Sequence, residues 1–221
     1  MTTKAGRNRN RQQEQSVPRV VGHTTERTIE QNEEFVRGIQ LTLISVIKGA
    51  ALAFLAANVK TAIENERIGL EFFPILITFL VICTFWYSAL AGVTYLRWEF
   101  SLFDTVLYFV LGLTENVMVQ FTSNTSWWVF FTGVFAILAG CTYWSDARQI
   151  KGTVTEYKRR AAERRIRGVA AAIAGALNIL AVYITPQYLT WVYVLDLLVI
   201  FYLLYSVRRG AKLDHTLSRE S

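Results

Sequence analysis

Six long apolar segments constrain this chain more than anything else in it. They run over roughly 38–57, 72–96, 104–121, 126–144, 168–185 and 189–207. A helix needs about 20 predominantly apolar residues to cross a hydrocarbon core about 30 Å thick. Each segment reaches that length or comes close to it. The expected fold is all-α: a polytopic membrane protein built as a bundle of six transmembrane helices over 36–207.

Orientation follows from the cations between the segments. The N-terminal tail carries Lys4, Arg7, Arg9, Arg11, Arg19 and Arg27. The connection 145–167 carries Arg148, Lys151, Lys158, Arg159, Arg160, Arg164, Arg165 and Arg167. The C-terminal tail, 208–221, carries Arg208, Arg209, Lys212 and Arg219. On the other side, 122–126 and 186–188 have no Lys or Arg, and Lys60 and Arg67 are diluted by Glu64 and Glu66. Lys and Arg resist translocation, so both termini and the 145–167 loop are expected in the cytoplasm. That arrangement needs an even number of spans. Trp127, Trp128, Trp144, Trp98 and Trp191 fall at segment ends, where an indole sits half buried with its N–H toward water. Trp86 is near mid-segment and is expected in a helix–helix seam.

The tail over 1–35 is polar and basic, expected to be largely disordered, with a juxtamembrane helix over 25–35. It is too long for the n-region of a signal peptide, and the first apolar run is of spanning length, so no cleaved leader is expected. Asn124-Thr125-Ser126 is a glycosylation sequon in a loop expected outside.

Several chemistries lack their residues. Both histidines, His23 and His215, are in the tails, which argues against a haem ligand or a histidine relay in the membrane. Cys83 and Cys141 lie in different segments at different depths and read as packing residues. The HExxH, CxxC, P-loop and GxSxG patterns and the potassium-filter sequence are absent, and no span holds an arginine ladder. No catalytic residue, metal site or cofactor is expected, and the chain does not read as an enzyme.

Small residues mark close packing. Gly168, Ala171, Ala172, Gly175 and Ala176 in the fifth segment recur at small-xxx-small spacing, as do Gly49, Ala50, Ala53, Ala56 and Ala57 in the first. Both helices are expected against several neighbours, because small residues let backbones approach where lipid supplies no hydrophobic drive.

Charges inside the membrane are expensive and face a partner, a cavity or a bundle interior. Arg37 and Lys48 are eleven residues apart in the first segment, Asp104 and Glu115 eleven apart in the third. Eleven residues are nearly three turns, so each pair shares a face and is separated by roughly 16 Å along its helix. Two rungs are expected between parallel helices: an inner-rim pair of Arg37 with Asp104, and Lys48 with Glu115 at mid-depth. Asp196 should lie slightly outward of that second rung, completing a cluster of Lys48, Glu115 and Asp196. Tyr108 and Thr122 share the charged stripe of the third segment, and Asn116 and Asn178 are further polar groups at mid-depth.

This pattern admits two readings. In one, the protein is a small channel or transporter-like protein, with Lys48 as fixed counter-charge and Glu115 and Asp196 as the titrating or ion-contacting carboxylates. In the other, it is a non-conducting scaffold or assembly factor that uses its basic cytoplasmic surfaces. The second draws on Lys158, Arg159, Arg160, Arg164, Arg165 and Arg167, which are expected on a helix leading into the fifth span and suit anionic lipid headgroups. The partners expected are the bilayer, those headgroups and further copies of the chain. Nucleic acid is not expected, since stacking aromatics are nearly absent from the basic run. The location expected is the cell membrane. Facing polar stripes would mark a pore; a dry core with paired charges would mark a scaffold.

Overall fold

The computed structural model of the protein describes residues 20–65, 69, 72–95, 102–149, 155–184 and 189–220. Among them the regular structure is helical: α1 (Val20–Glu64), α2 (Phe72–Tyr95), α3 (Leu102–Gln120), α4 (Thr125–Gln149), α5 (Thr155–Tyr183) and α6 (Leu189–Glu220). Five contain a stretch long and apolar enough to cross a membrane: Leu41–Glu64, Phe72–Leu90, Thr125–Arg148, Lys158–Tyr183 and Thr190–Arg209. By length and composition the chain is a multi-pass integral membrane protein. The remaining helix, α3, is the shortest at 19 residues and carries Asp104, Glu115 and Asn116. The tail over 1–19 and Trp98 lie outside the described residues.

The chain divides into two compact units, Met1–Gln40 and Leu41–Ser221. In the first, Phe35 and Ile39 on α1 are exposed, and 25–35 falls within that helix. The five apolar stretches all belong to the second unit.

In that second unit, helices extend further than hydropathy suggests around the basic connection. α4 runs to Gln149 and α5 begins at Thr155, so most of 145–167 is helical. Charge spacing supports this: Arg159 lies 3.4 Å from Glu163 one turn on. At the opposite end, α3 closes on tight i→i+3 bonds, Phe121 N–H to Met118 O and Thr122 N–H to Val119 O. Asn124 then caps α4, its Oδ1 accepting the Trp127 N–H at 3.3 Å.

Contacts between side chains set the helix directions. α1 and α3 are parallel: Lys48 meets Glu115, and further along both helices Asn58 donates to Thr122 Oγ1 at 2.9 Å and to the Val119 carbonyl at 2.6 Å. α2 and α4 are parallel: Trp128 Nε1 donates to Thr78 Oγ1 at 2.9 Å, and Phe85 packs edge-on against Phe135 at 4.9 Å, each residue seven further along. α5 runs against both α4 and α6. Successive helices therefore alternate in direction.

The α4–α5 seam is the tightest in the unit. Gly133 faces Gly175 and Gly140 faces Gly168 across antiparallel backbones. A Cβ on Gly175 would stand 2.5 Å from the Gly133 carbonyl oxygen, and one on Gly140 would stand 2.7 Å from that of Gly168. Absent side chains put the two backbones in direct contact, where dispersion and close-packed dipoles hold them. The first segment behaves differently. On α1 the buried stripe is Ile44, Lys48, Ala51 and Leu55, while Gly49, Ala50, Ala53, Ala56 and Ala57 face outward. The expectation that this small-residue face meets neighbours is corrected: a Cβ on Gly49 would touch nothing within 4 Å.

Two tryptophans exchange the places expected of them. Trp86 lies on the outer surface, 36% exposed, rather than in a seam. Trp128 is fully buried, its indole N–H spent on Thr78 rather than on headgroups. Around it the main core gathers α2, α3, α4 and α6 through residues such as Ile77, Val81, Met118, Phe135 and Ile200. A smaller cluster of Ala51, Leu55, Ile75, Ile82 and Val119 seats α1 against α2 and α3.

Candidate functional site

Buried charged side chains in this unit, with their partners, gather in three places, each built by different helices. The first is the α1–α3 rung. Lys48 Nζ donates to Glu115 Oε2, with Glu115 fully buried and Lys48 almost so. Gly112, one turn before Glu115, makes the approach possible: a Cβ there would meet Ile47 Cγ2 at 2.5 Å. Among the described residues the second oxygen, Glu115 Oε1, has no hydrogen-bond partner. Asn116 turns back on its own helix and gives its amide to the Gly112 carbonyl at 2.8 Å.

Asp196 is not part of that rung. It lies on α6 and accepts from Asn178 Nδ2 of α5 at 2.9 Å. Both residues are buried, and among the described residues Asp196 Oδ2 and the Asn178 amide oxygen Oδ1 have no hydrogen-bond partner. Asp196 borders a cavity between α2, α4, α5 and α6, whose walls are otherwise apolar save for Thr84 and Thr132. Those hydroxyls donate to the carbonyls of Leu80 and Trp128 in their own helices. The three residues expected as one cluster thus occupy two sites: an α1–α3 ion pair and an α5–α6 acid–amide pair.

The third place is at the cytoplasmic ends expected from the charge count. Asp104 of α3 accepts from Ser145 Oγ of α4 at 2.5 Å. Next to it Asp146 pairs with Arg164 of α5 at 2.7 Å and accepts a long bond from Tyr108 at 3.4 Å. Arg167 joins α5 to α6, giving Nε to Ser206 Oγ at 2.6 Å and Nη2 to the Ser206 carbonyl at 2.7 Å. The side chain of Arg37, expected opposite Asp104, lies outside the described residues.

The basic run is therefore two-faced. Arg160, Arg164 and Arg167 recur at i, i+4 and i+7 and are buried, whereas Lys158, Arg159 and Arg165 are exposed. Of the six residues expected to meet lipid headgroups, three point inward. Read by charge alone, the run is one patch. The helical spacing of the three inward arginines, with Asp146 at the end of the preceding span, is the signal that separates them.

A fourth polar group is uncharged and escapes a reading based on charge. Asn58, Thr61, Asn65, Thr122 and Ser123 line a cleft of about 100 Å³ at the far end of α1 and α3. Asn58 spends its amide there in tying the two helices together. Among the described residues no group of three or more His, Cys, Asp or Glu is arranged to hold a metal ion. No protein-family model, curated protein or solved structure matches this chain.

Proposed function

We propose that this protein is a six-span, non-conducting membrane scaffold with both ends in the cytoplasm, which engages anionic lipid through an exposed basic rim. The observation that carries the reading is the closure of its mid-depth charge, Lys48 on Glu115. A buried ion pair satisfied within the protein fits a packed bundle better than a wet pathway. The arginine–aspartate and arginine–serine contacts at the cytoplasmic ends also tie helices together.

The sixth span is α3. Asp104 meets Ser145 near one end of the α3–α4 pair and Phe121 meets Trp127 at the other, so α3 lies along nearly the whole of a spanning helix. Six alternating helices return the C-terminus to the side of the N-terminus, and the positive-inside bias names that side. Lys158, Arg159 and Arg165 would then face headgroups, each contributing about 1 kcal/mol of attraction. The cell membrane is the proposed location, and no enzymatic role is proposed. The channel or transporter reading keeps one supporting observation, the Asp196 carboxylate on its cavity.

The test is reconstitution of the full chain in liposomes. Proton and alkali-ion flux should equal that of protein-free vesicles. Anionic lipid should raise the melting temperature more than zwitterionic lipid, and the gain should shrink with added salt and in the triple variant Lys158→Gln, Arg159→Gln, Arg165→Gln. Flux above background that disappears in the Lys48→Met, Glu115→Gln double variant would sink the scaffold reading and restore the transport one.

A further inference from the structure

Asp196 presents a problem in electrostatics that the rest of the bundle does not solve. It is 6% exposed. The cavity it borders, about 40 Å³, has walls from four helices. α2 contributes Thr84 as its polar wall, α4 contributes Thr132, and α5 presents apolar side chains such as Ala171 and Ala174. Among the described residues no Lys, Arg or His lines the cavity. The cations of α5 nearest the bundle interior, Arg164 and Arg167, are committed to Asp146 and to Ser206. Lys48 is committed to Glu115 between two other helices. Tyr193, one turn earlier on α6, stacks its ring on Phe73 and packs against Trp128. An ionised carboxylate left in such surroundings would be costly.

The same side-chain pair holds two buried oxygens without partners, Asp196 Oδ2 and Asn178 Oδ1. A carboxylic acid and a primary amide join through two hydrogen bonds when the acid holds its proton: amide N–H to one acid oxygen, acid O–H to the amide oxygen. The first bond is present, Asn178 Nδ2 to Asp196 Oδ1 at 2.9 Å. A proton on Oδ2 turns that oxygen into a donor, the kind of partner that the Asn178 amide oxygen lacks.

We propose that Asp196 and Asn178 form a buried proton-binding site, in which Asp196 takes one proton from water and shares it with the amide oxygen of Asn178. Binding changes the charge of the site from minus one to zero, and Asn178 acts as the selective partner, since its amide both donates and accepts. The cavity beside it exceeds the ~10–15 Å³ that one water centre requires, and Asp196, Thr84 and Thr132 on its wall are the polar partners a water there needs. The site goes beyond the scaffold reading and does not rest on it.

Infrared spectroscopy of the full chain in lipid nanodiscs at neutral pH tests this. The wild type should show the carbonyl stretch of a protonated carboxylic acid, moving on transfer to heavy water. Asp196→Asn should remove the band and leave the melting temperature close to wild type, because an amide N–H replaces the acid O–H. Glu115→Gln should leave the band in place, since Glu115 is ionised in its pair. Asn178→Leu should shift the band to higher frequency by removing the acceptor, a readout that survives even if the Asp196 variant fails to fold. Absence of the band in the wild type at neutral pH would overturn the proposal. So would a sodium- or potassium-dependent rise in wild-type melting temperature that Asp196→Asn abolishes, which would make the occupant an alkali cation.

Discussion

The α4–α5 seam and the α1–α3 contact hold helices together by opposite means. Between α4 and α5 the adhesive is what the side chains lack: four glycines bring carbonyl oxygens against the facing backbone. Between α1 and α3 the adhesive is polar: an ion pair and an asparagine hook, on a helix whose small-residue face looks away from the bundle. Lipid tails are as apolar as leucine, so neither pair gains from simple burial. The first recovers stability from dispersion over many atoms, the second from a few strong contacts. A seam of the first kind tolerates no added volume. A contact of the second kind tolerates volume beside it but no loss of a partner.

The largest effect should come from adding volume to the seam. Gly175→Leu places its first carbon against the Gly133 carbonyl, where backbone rather than a flexible side chain must yield. The loss should exceed the ~1–3 kcal/mol of ordinary overpacking, read as loss of a cooperative thermal transition in detergent. A variant that melts like wild type would show that the seam is not the bundle's anchor.

Removing a partner from the polar contact should come next. Lys48→Met strands the Glu115 carboxyl without its counter-charge, at a cost of about 3–5 kcal/mol in a dry interior and less where water enters or the acid takes a proton. Glu115→Gln should cost a similar amount, and the double variant should regain much of it. Strictly additive losses in this cycle would mean that the two charges do not stabilise one another.

The smallest effect should follow from volume beside the polar contact. Gly49→Leu sits one residue past Lys48, yet its side chain enters open space outside the bundle. Its melting temperature should match the wild type, within about 0.5 kcal/mol of stability. A marked loss would place another molecule against this face of α1, and the contrast between the two regions would need redrawing.

The level of a residue along its helix is legible in the chain; the choice of neighbour is not. Residue counting puts Lys48 and Glu115 at one level because helix rise is constant, and the same counting puts Asp196 near that level. It carries no information on which helices stand side by side, so it cannot assign Asp196 to Asn178 on α5. The same gap accounts for the α1 face. Small residues at helical spacing permit close approach, but a partner must offer a matching notch, as Gly133 and Gly140 do for Gly175 and Gly168. Trp128 departs from expectation for a related reason. An indole at a span's end suits the interface, but Thr78 on a neighbouring helix offers its N–H a better acceptor inside. The six helices themselves are visible because hydropathy acts within each segment, before any partner is chosen.

The α1–α3 ion pair also has a history in time. Its two residues are separated by 67 positions. At about 5–20 residues per second, Lys48 emerges from the ribosome roughly 3–13 s before Glu115. During that interval a lone lysine near the middle of a helix carries about 2.5–3.5 kcal/mol against entering lipid. α1 is therefore a reluctant first entrant: it lodges firmly only once α3 arrives beside it. The glycine seam has no such delay, because α5 follows α4 directly and the two can enter as a hairpin. Securing thus departs from sequence order at the start of the chain: α1 waits for α3, while α5 meets its partner at once.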